Sequence, residues 1–70
     1  MRDNFKEILR ELLEEYNLTQ TDFAIKIGVK QAQVSEWLKG KCKPSYDILR
    51  NMAVVFNISA DYLLGLSEDL

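Results

Sequence analysis

The sequence predicts an all-α fold built from five helices. Five stretches place apolar residues three and four positions apart, which is the spacing that gives an α-helix one buried face. Thr19, Ser45 and Ser59 are suited to begin helices, and each stands just before one of these stretches. Gly28 and Gly40 stand just after two of them, where glycine commonly ends a helix. No stretch alternates apolar and polar residues over a useful length, so no strand is predicted.

Helix 1 is predicted to run to about Tyr16. Asn4 and Glu7 have the spacing of a capping box at its start. Its apolar stripe consists of Phe5, Ile8, Leu9, Leu12, Leu13 and Tyr16. The glutamates between them predict a solvated face, and an acidic surface for contact with another protein is the alternative; they are Glu7, Glu11, Glu14 and Glu15.

Helix 2 has the most complete start signal in the chain. Thr19 is a good N-cap, and Asp22 follows at the position from which its carboxylate can reach back. Leu18 and Phe23 have the spacing of a hydrophobic staple. The residues predicted to face inward are Phe23, Ala24 and Ile27. Gly28 then permits the left-handed backbone that ends a helix.

Helix 3 is predicted to run from about Gln31 to Leu38. Val34, Trp37 and Leu38 form its apolar side. The spacing of Trp37 from Val34 favours a core position for the indole ring over stacking on a base. The polar or small residues left on the other faces are Gln31, Ala32, Gln33, Ser35, Glu36 and Lys39.

Helices 4 and 5 complete the fold. The stripe of helix 4 consists of Ile48, Leu49, Met52, Ala53 and Phe56, and Asn57 is suited to its C-terminal turn. Ser59 begins a short helix 5 that Gly65 closes. We expect one domain over residues 1–66, with 67–70 as a frayed tail or the start of a missing segment.

Composition excludes several classes of function. One cysteine and no histidine rule out an internal disulfide and, in practice, a zinc site. No glycine-rich phosphate loop or paired carboxylates are present, so we expect no catalytic residue, no metal, no cofactor and no enzyme activity. No apolar run approaches the roughly 20 residues that span a bilayer, and the N-terminus does not resemble a signal peptide. We therefore expect a cytoplasmic protein without membrane contact.

Positive charge is concentrated in the middle of the chain. The net formal charge is −2, but residues 26–50 hold six basic and two acidic side chains. The flanking segments are both acidic. The basic segment includes helix 3 and the loop after it, a distribution that matters more for binding nucleic acid than the total charge does.

The chain resembles the Cro and phage-repressor type of helix-turn-helix family over about residues 5–65. The matching residues are Leu18-Thr19-Gln20-x-x-Phe23-Ala24, Ile27-Gly28-Val29, Val34-Ser35-x-Trp37, Gly40-Lys41-x-x-Pro44 and Ala53-x-x-Phe56-Asn57-Ile58-Ser59-x-Asp61-Tyr62-Leu63-Leu64. Two positions depart from the family pattern. Lys30 stands where Ser or Thr is frequent, so helix 3 is expected to be less well capped. Leu38 stands where a carboxylate is frequent, and it either joins the core or leaves an exposed apolar spot.

The resemblance implies a compact five-helix, lambda-repressor-like DNA-binding domain whose helix-turn-helix is formed by helices 2 and 3. It implies binding of double-stranded operator DNA as a homodimer. The expected function is a sequence-specific transcriptional regulator, and a repressor of phage or prophage type. Two alternatives stay open: the antitoxin of a toxin–antitoxin pair, and a protein-interaction module on the same scaffold. No small-molecule effector is evident.

By motif matching, the residues expected to contact bases are Gln31, Ala32, Gln33 and Glu36. These residue types suit base edges: a glutamine amide pairs with adenine N6 and N7, an alanine methyl group contacts the thymine methyl, and a carboxylate accepts from cytosine N4. The residues expected to contact phosphates are Gln20, Lys30, Ser35, Lys39, Lys41, Lys43, Ser45 and Tyr46. In the family, the position of Gln20 also often braces that of Gln31. The surface suspected of forming the dimer is helix 5 with Tyr62, Leu64 and Leu66.

Overall fold

Five α-helices and no strand make up the computed structural model over residues 4–67, which are the residues the structure describes. The helices are α1 Phe5–Glu15, α2 Gln20–Ile27, α3 Gln31–Leu38, α4 Tyr46–Phe56 and α5 Ala60–Leu63. The all-α prediction is therefore confirmed, and α3 has the predicted bounds. Most of the predicted C-terminal tail lies outside the described residues.

The helix starts show which sequence signals act locally. At α2 the capping box forms: the Thr19 hydroxyl accepts from the Asp22 N–H at 3.1 Å, and the Thr19 N–H donates to the Asp22 carboxylate at 3.4 Å. At α1 the predicted box is half wrong. Asn4 accepts from the N–H of Lys6, one position earlier than a box requires, and Glu7 returns no bond among the described residues. Since the Glu7 side chain is exposed, water solvates its carboxylate.

The starts of α4 and α5 follow the prediction. Ser45 Oγ accepts from the N–H of Ile48 at 3.3 Å, and Ser59 Oγ accepts from the N–H of Tyr62 at 3.1 Å. Asn57 ends α4 in the left-handed conformation, with φ of 53°. Four of the five helices thus begin with a side-chain oxygen that accepts a bond from the first turn, and α3 is the exception.

The core gathers residues from all five helices and the turn before α5. The buried set is Phe5, Ile8, Leu9, Leu12, Phe23, Ala24, Ile27, Val34, Trp37, Met52, Ile58, Tyr62 and Leu63. Phe5 meets Trp37 edge to face with ring centroids 6.4 Å apart, which confirms the core position predicted for Trp37. Leu38 is half-buried and packs against this core, which settles its alternatives in favour of packing.

Tyr62 corrects one expectation about helix 5. Its side chain is 0% exposed, so it cannot belong to a dimer surface as expected, whereas Leu64 and Leu66 are more than half exposed. The Tyr62 hydroxyl donates to the Glu11 carboxylate at 2.7 Å and joins α5 to α1. A buried tyrosine needs such a partner for its hydroxyl group. Glu11 is consequently more than a member of a solvated face.

Candidate nucleic-acid interface

A tight turn joins α2 to α3 and sets the angle at which α3 leaves the core. Gly28 adopts φ of 75° and ψ of 33°, a left-handed conformation in which a side chain is strained. A Cβ added at Gly28 would meet nothing within 4 Å, so the backbone conformation, and not a lack of space, favours glycine here. The Val29 N–H then donates to the Ala24 carbonyl at 3.0 Å and closes the turn.

The end of α2 is also fixed by a tertiary bond. The Asn51 side chain on α4 donates to the Ile27 carbonyl at 2.8 Å. This carbonyl is one of the last of α2 and has no partner within its own helix. Asn51 therefore satisfies the carbonyl and holds α4 against the position where the chain turns into α3.

The polar face of α3 is exposed. Residues of an α-helix advance by about 100° around its axis. Val34 and Trp37 face the core, so the opposite side carries Ala32, Glu36 and Lys39. Gln31 and Gln33 lie about 200° apart on either side of this outward ridge. The four side chains predicted to contact bases are all exposed: Gln31, Ala32, Gln33 and Glu36.

Gln31 is held from α2. Its Nε2 donates to Gln20 Oε1 at 2.8 Å, a bond between side chains eleven positions apart. This is the bracing that the resemblance implied. The bond uses one of the two amide N–H groups of Gln31, so the other N–H and the carbonyl oxygen remain available for a ligand. Gln20 is the first residue of α2, where backbone N–H groups also point outward.

Helix α3 begins without a side-chain acceptor. Its N-cap is Lys30, whose ammonium group can only donate, so Lys30 cannot cap the helix as a serine or threonine would. The weaker capping expected from Lys30 is confirmed. Gln33 supplies the other half of a capping box, because its Oε1 accepts from the Lys30 N–H at 3.4 Å.

The residues predicted to contact phosphates lie on several elements. Gln20 and Ser35 are half-buried, on α2 and α3. The remaining six are exposed: Lys30, Lys39, Lys41, Lys43, Ser45 and Tyr46. One surface depression brings Lys43 and Ser45 together with Gln33 and Glu36. The side chains of Gln33 and Glu36 on α3 therefore lie beside the loop that follows this helix.

Lys6 on α1 lies over Gly40, at the start of the loop that carries Lys41 and Lys43. Sequence reasoning did not predict this contact. The Lys6 Nζ is 3.9 Å from the point where a Cβ on Gly40 would stand. The ammonium group thus lies beside Gly40, whose neighbours in the chain are Lys39 and Lys41. No local pattern could reveal this, because Lys6 is separated from Gly40 by most of α1, α2 and α3.

Other kinds of site find little support in the part of the chain that the structure describes. It contains no group of three or more His, Cys, Asp or Glu side chains that could hold a metal ion. Within residues 4–67, no helix has both the length and the apolar character needed to cross a membrane. Cys42 is an exposed free thiol.

The α2–turn–α3 unit with its exposed polar helix defines the chain as a helix-turn-helix domain. The family model described as helix-turn-helix matches residues 9–63, and the chain belongs to this family. It is 34% identical over 61 residues to the uncharacterized HTH-type transcriptional regulator YobD of Bacillus subtilis. It is 33% identical over 64 residues to the HTH-type transcriptional activator BcrR of Enterococcus faecalis.

A solved structure shares the whole architecture. A transcriptional regulator from Listeria innocua covers 100% of this chain, with a TM-score of 0.83 and 27% identity. The alignments cover 87% and 91% of this chain but only 54% of YobD and 31% of BcrR. The chain thus spans about half the length of the first of these curated relatives, and it covers 65% of the Listeria chain.

Proposed function

We propose that this chain binds double-stranded DNA with sequence specificity and regulates transcription, placing α3 in the major groove. One observation carries the proposal: α3 presents an exposed polar face on which Gln31 is held in position by Gln20 at 2.8 Å. The major groove is wide enough for one α-helix and presents a different pattern of donors and acceptors for each base pair. A glutamine held before binding loses less side-chain entropy when it contacts a base.

The proposed contacts divide into two sets. Base edges are contacted by Gln31, Ala32, Gln33 and Glu36, and each well-formed bidentate pair discriminates against a wrong base by about 1–3 kcal/mol. Phosphates are contacted by Gln20, Lys30, Ser35, Lys39, Lys41, Lys43, Ser45 and Tyr46. These contacts fix the register of the protein on the duplex and carry no sequence information. The N-termini of α2 and α4 add backbone N–H groups near Gln20 and Ser45.

We further propose that the protein acts as a homodimer. Two copies would contact half-sites about 10–10.5 base pairs apart, or a multiple of that distance. Leu64 and Leu66 are more than half exposed, and Val54 on α4 is 71% exposed. Leu64 and Val54 line one apolar groove between α4 and α5. Burying these side chains against a second copy would remove apolar surface from water.

Repression is the sign of regulation that we propose. A protein bound at a promoter blocks polymerase by occupancy alone, whereas activation requires an additional favourable contact. BcrR, one of the relatives, is named as an activator, so the sign of regulation needs its own test. We place the DNA-binding unit at residues 1–66 and the protein in the cytoplasm, where operator DNA is accessible.

In vitro selection of bound duplexes tests the proposal. We expect a selected motif with two-fold symmetry, bound more tightly than random DNA. Lys41→Ala should weaken binding to the selected and random duplexes alike and should lower the salt slope by about one unit. Lys26→Ala is the matched control, because Lys26 is an exposed lysine at the opposite end of α2 from Gln20. A failure to bind any duplex at low salt would overturn the proposal.

The exposed carboxylates of α1 provide the competing interpretation, a surface for another protein. Glu14 and Glu15 are exposed and suit this comparison. Glu11 does not, because it is bonded to Tyr62 and its replacement would disturb the fold. If DNA is the target, replacing Glu14 and Glu15 by lysine should preserve duplex binding. Replacing Lys39 and Lys41 by glutamate should abolish that binding.

A further inference from the structure

Gln31 and Gln33 are the same residue type in the same turn of α3, yet the structure gives them opposite hydrogen-bonding roles. Gln31 donates through its Nε2 to Gln20. Gln33 accepts through its Oε1 from the backbone of Lys30. The free groups that each glutamine can offer a ligand are therefore different, although the sequence alone makes them equivalent.

The bond made by Gln33 has a structural reason. The N-cap of α3 is Lys30, whose side chain has no acceptor, so the helix start is supported instead by the bond that Gln33 Oε1 accepts from the Lys30 N–H. This bond turns the amide oxygen back toward the N-terminus of the helix. Because the two amide atoms diverge from one carbon, the NH2 group is then the end that points away from the helix start. Gln33 is exposed, so this group meets whatever contacts α3.

We infer that Gln33 recognises guanine, by donating both N–H bonds of its amide to O6 and N7. This inference rests on the proposed placement of α3 in the major groove. Guanine presents two neighbouring acceptors there, whereas adenine presents N7 beside the N6 amino donor. A group that offers donors alone matches guanine and places an N–H against an N–H at adenine.

Gln31 supplies the internal contrast. One N–H and the carbonyl oxygen remain free, which is the donor and acceptor pair that adenine N7 and N6 require. The two side chains lie about 200° apart around the helix, so they would reach different base pairs. The inference therefore predicts guanine at the operator position that Gln33 contacts and adenine at the position that Gln31 contacts. The two bases differ because the two glutamines make different hydrogen bonds within the protein.

Gln33→Glu is the most informative variant. The carboxylate keeps an acceptor for the Lys30 N–H, so α3 keeps its start and the thermal midpoint should not fall. The outward NH2 group is replaced by an oxygen, which accepts from cytosine N4. We expect the selected motif to change from guanine to cytosine at one position of each half-site. Gln33→Ala should relax that same position, with a loss of discrimination of about 5- to 150-fold.

Chemical substitution in the DNA tests the contact itself. Replacing the guanine at that position by 7-deazaguanine removes the N7 acceptor and should weaken wild-type binding by about 5-fold. The same replacement should leave the binding of Gln33→Ala unchanged. Gln31→Ala is the matched control: it should relax a different position and keep the sensitivity to 7-deazaguanine.

Three results would overturn the inference. Gln33→Ala could weaken binding to all duplexes equally, which would assign Gln33 to the phosphates or to the helix start. Gln33→Ala could relax a position occupied by an A·T pair, which would contradict a Gln33 amide that only donates hydrogen bonds to the base. Equal sensitivity of the wild type and Gln33→Ala to 7-deazaguanine would do the same. If wild-type selection yields no motif at all, the proposed function fails; a motif that Gln33 variants leave unchanged overturns only this inference.

Discussion

The two helices of the helix-turn-helix begin in different ways: α2 has a complete capping box, whereas α3, the helix proposed to bind DNA, has no side-chain acceptor at its N-cap. At α2, Thr19 and Asp22 exchange two hydrogen bonds within four residues. At α3, Lys30 stands at the N-cap and contributes no acceptor. An N-cap without an acceptor costs about 0.5–2 kcal/mol of stability relative to Ser, Thr, Asp or Asn. The structure therefore concentrates its local stabilisation in α2 and keeps a cation at the start of the helix proposed to enter DNA.

Tertiary contacts compensate for the weaker start of α3. Val34 and Trp37 are buried, and α3 packs against both α1 and α2. Helical stability in proteins comes mostly from such packing. A lysine can consequently occupy the N-cap of α3, because packing supplies most of the stability of this helix. Four variants test this comparison, taken in order of decreasing effect on the free energy of unfolding.

Asn51→Leu should have the largest effect, because it removes the bond that fixes the end of α2 from α4. The Ile27 carbonyl would lose its partner in a half-buried site, at a cost of about 1–3 kcal/mol in the free energy of unfolding. Urea denaturation followed by circular dichroism measures this loss. The adjacent exposed Arg50 provides the control, since Arg50→Ala should change stability by less than about 0.5 kcal/mol. Equal effects of the two variants would contradict an anchoring role for Asn51.

Thr19→Ala should come next, with a loss of about 1 kcal/mol, because α2 loses the acceptor for the Asp22 N–H. Thr19→Ser retains a hydroxyl group and should recover most of the stability. DNA affinity, measured well below the thermal midpoint of each variant, should change little. A large loss of affinity with the folded fraction unchanged would show that Thr19 itself contacts DNA.

Lys30→Thr, at the start of α3, should raise the stability of the protein, whereas the two variants above should lower it. A threonine hydroxyl can accept from the first turn, so the free energy of unfolding should rise by about 0.5–1 kcal/mol. If Lys30 contacts a phosphate, the same variant should lose affinity on all duplexes and lower the salt slope by about one unit. Thermal melts and fluorescence anisotropy at several salt concentrations measure the two effects. A gain in stability with an unchanged salt slope would remove Lys30 from the phosphate contacts.

The two helix starts also show how far sequence reasoning reached. The capping box of α2 was predictable because Thr19 and Asp22 are close in sequence, and a local pattern determines a local bond. The burial of Tyr62 was not predictable in this way, because it depends on α1 packing against α5 and on the Glu11 carboxylate. The position of Lys6 over Gly40 depends on the folded arrangement for the same reason. The bond of Gln33 did have a signal, since Lys30-x-x-Gln33 has the capping-box spacing.

Gln20→Met should have the smallest effect on stability, within about 0.5 kcal/mol, because the bond it removes is exposed. Its effect on specificity should be larger. Without Gln20, the Gln31 side chain regains rotational freedom, and fixing it on a base then costs about 0.5–1.5 kcal/mol. The ratio of specific to non-specific affinity should fall by about 2- to 12-fold.

Gln20→Glu distinguishes two roles of Gln20, the hydrogen bond that holds Gln31 and the proposed contact with a DNA phosphate. Its carboxylate still accepts from Gln31, so the specificity ratio should be retained while total affinity falls through repulsion by the phosphates. If Gln20→Met and Gln20→Glu lowered the ratio equally, the bond between the two helices would have no part in base recognition. If only Gln20→Met lowers it, the first residue of α2 acts through the first residue of α3, and the supporting helix contributes directly to specificity.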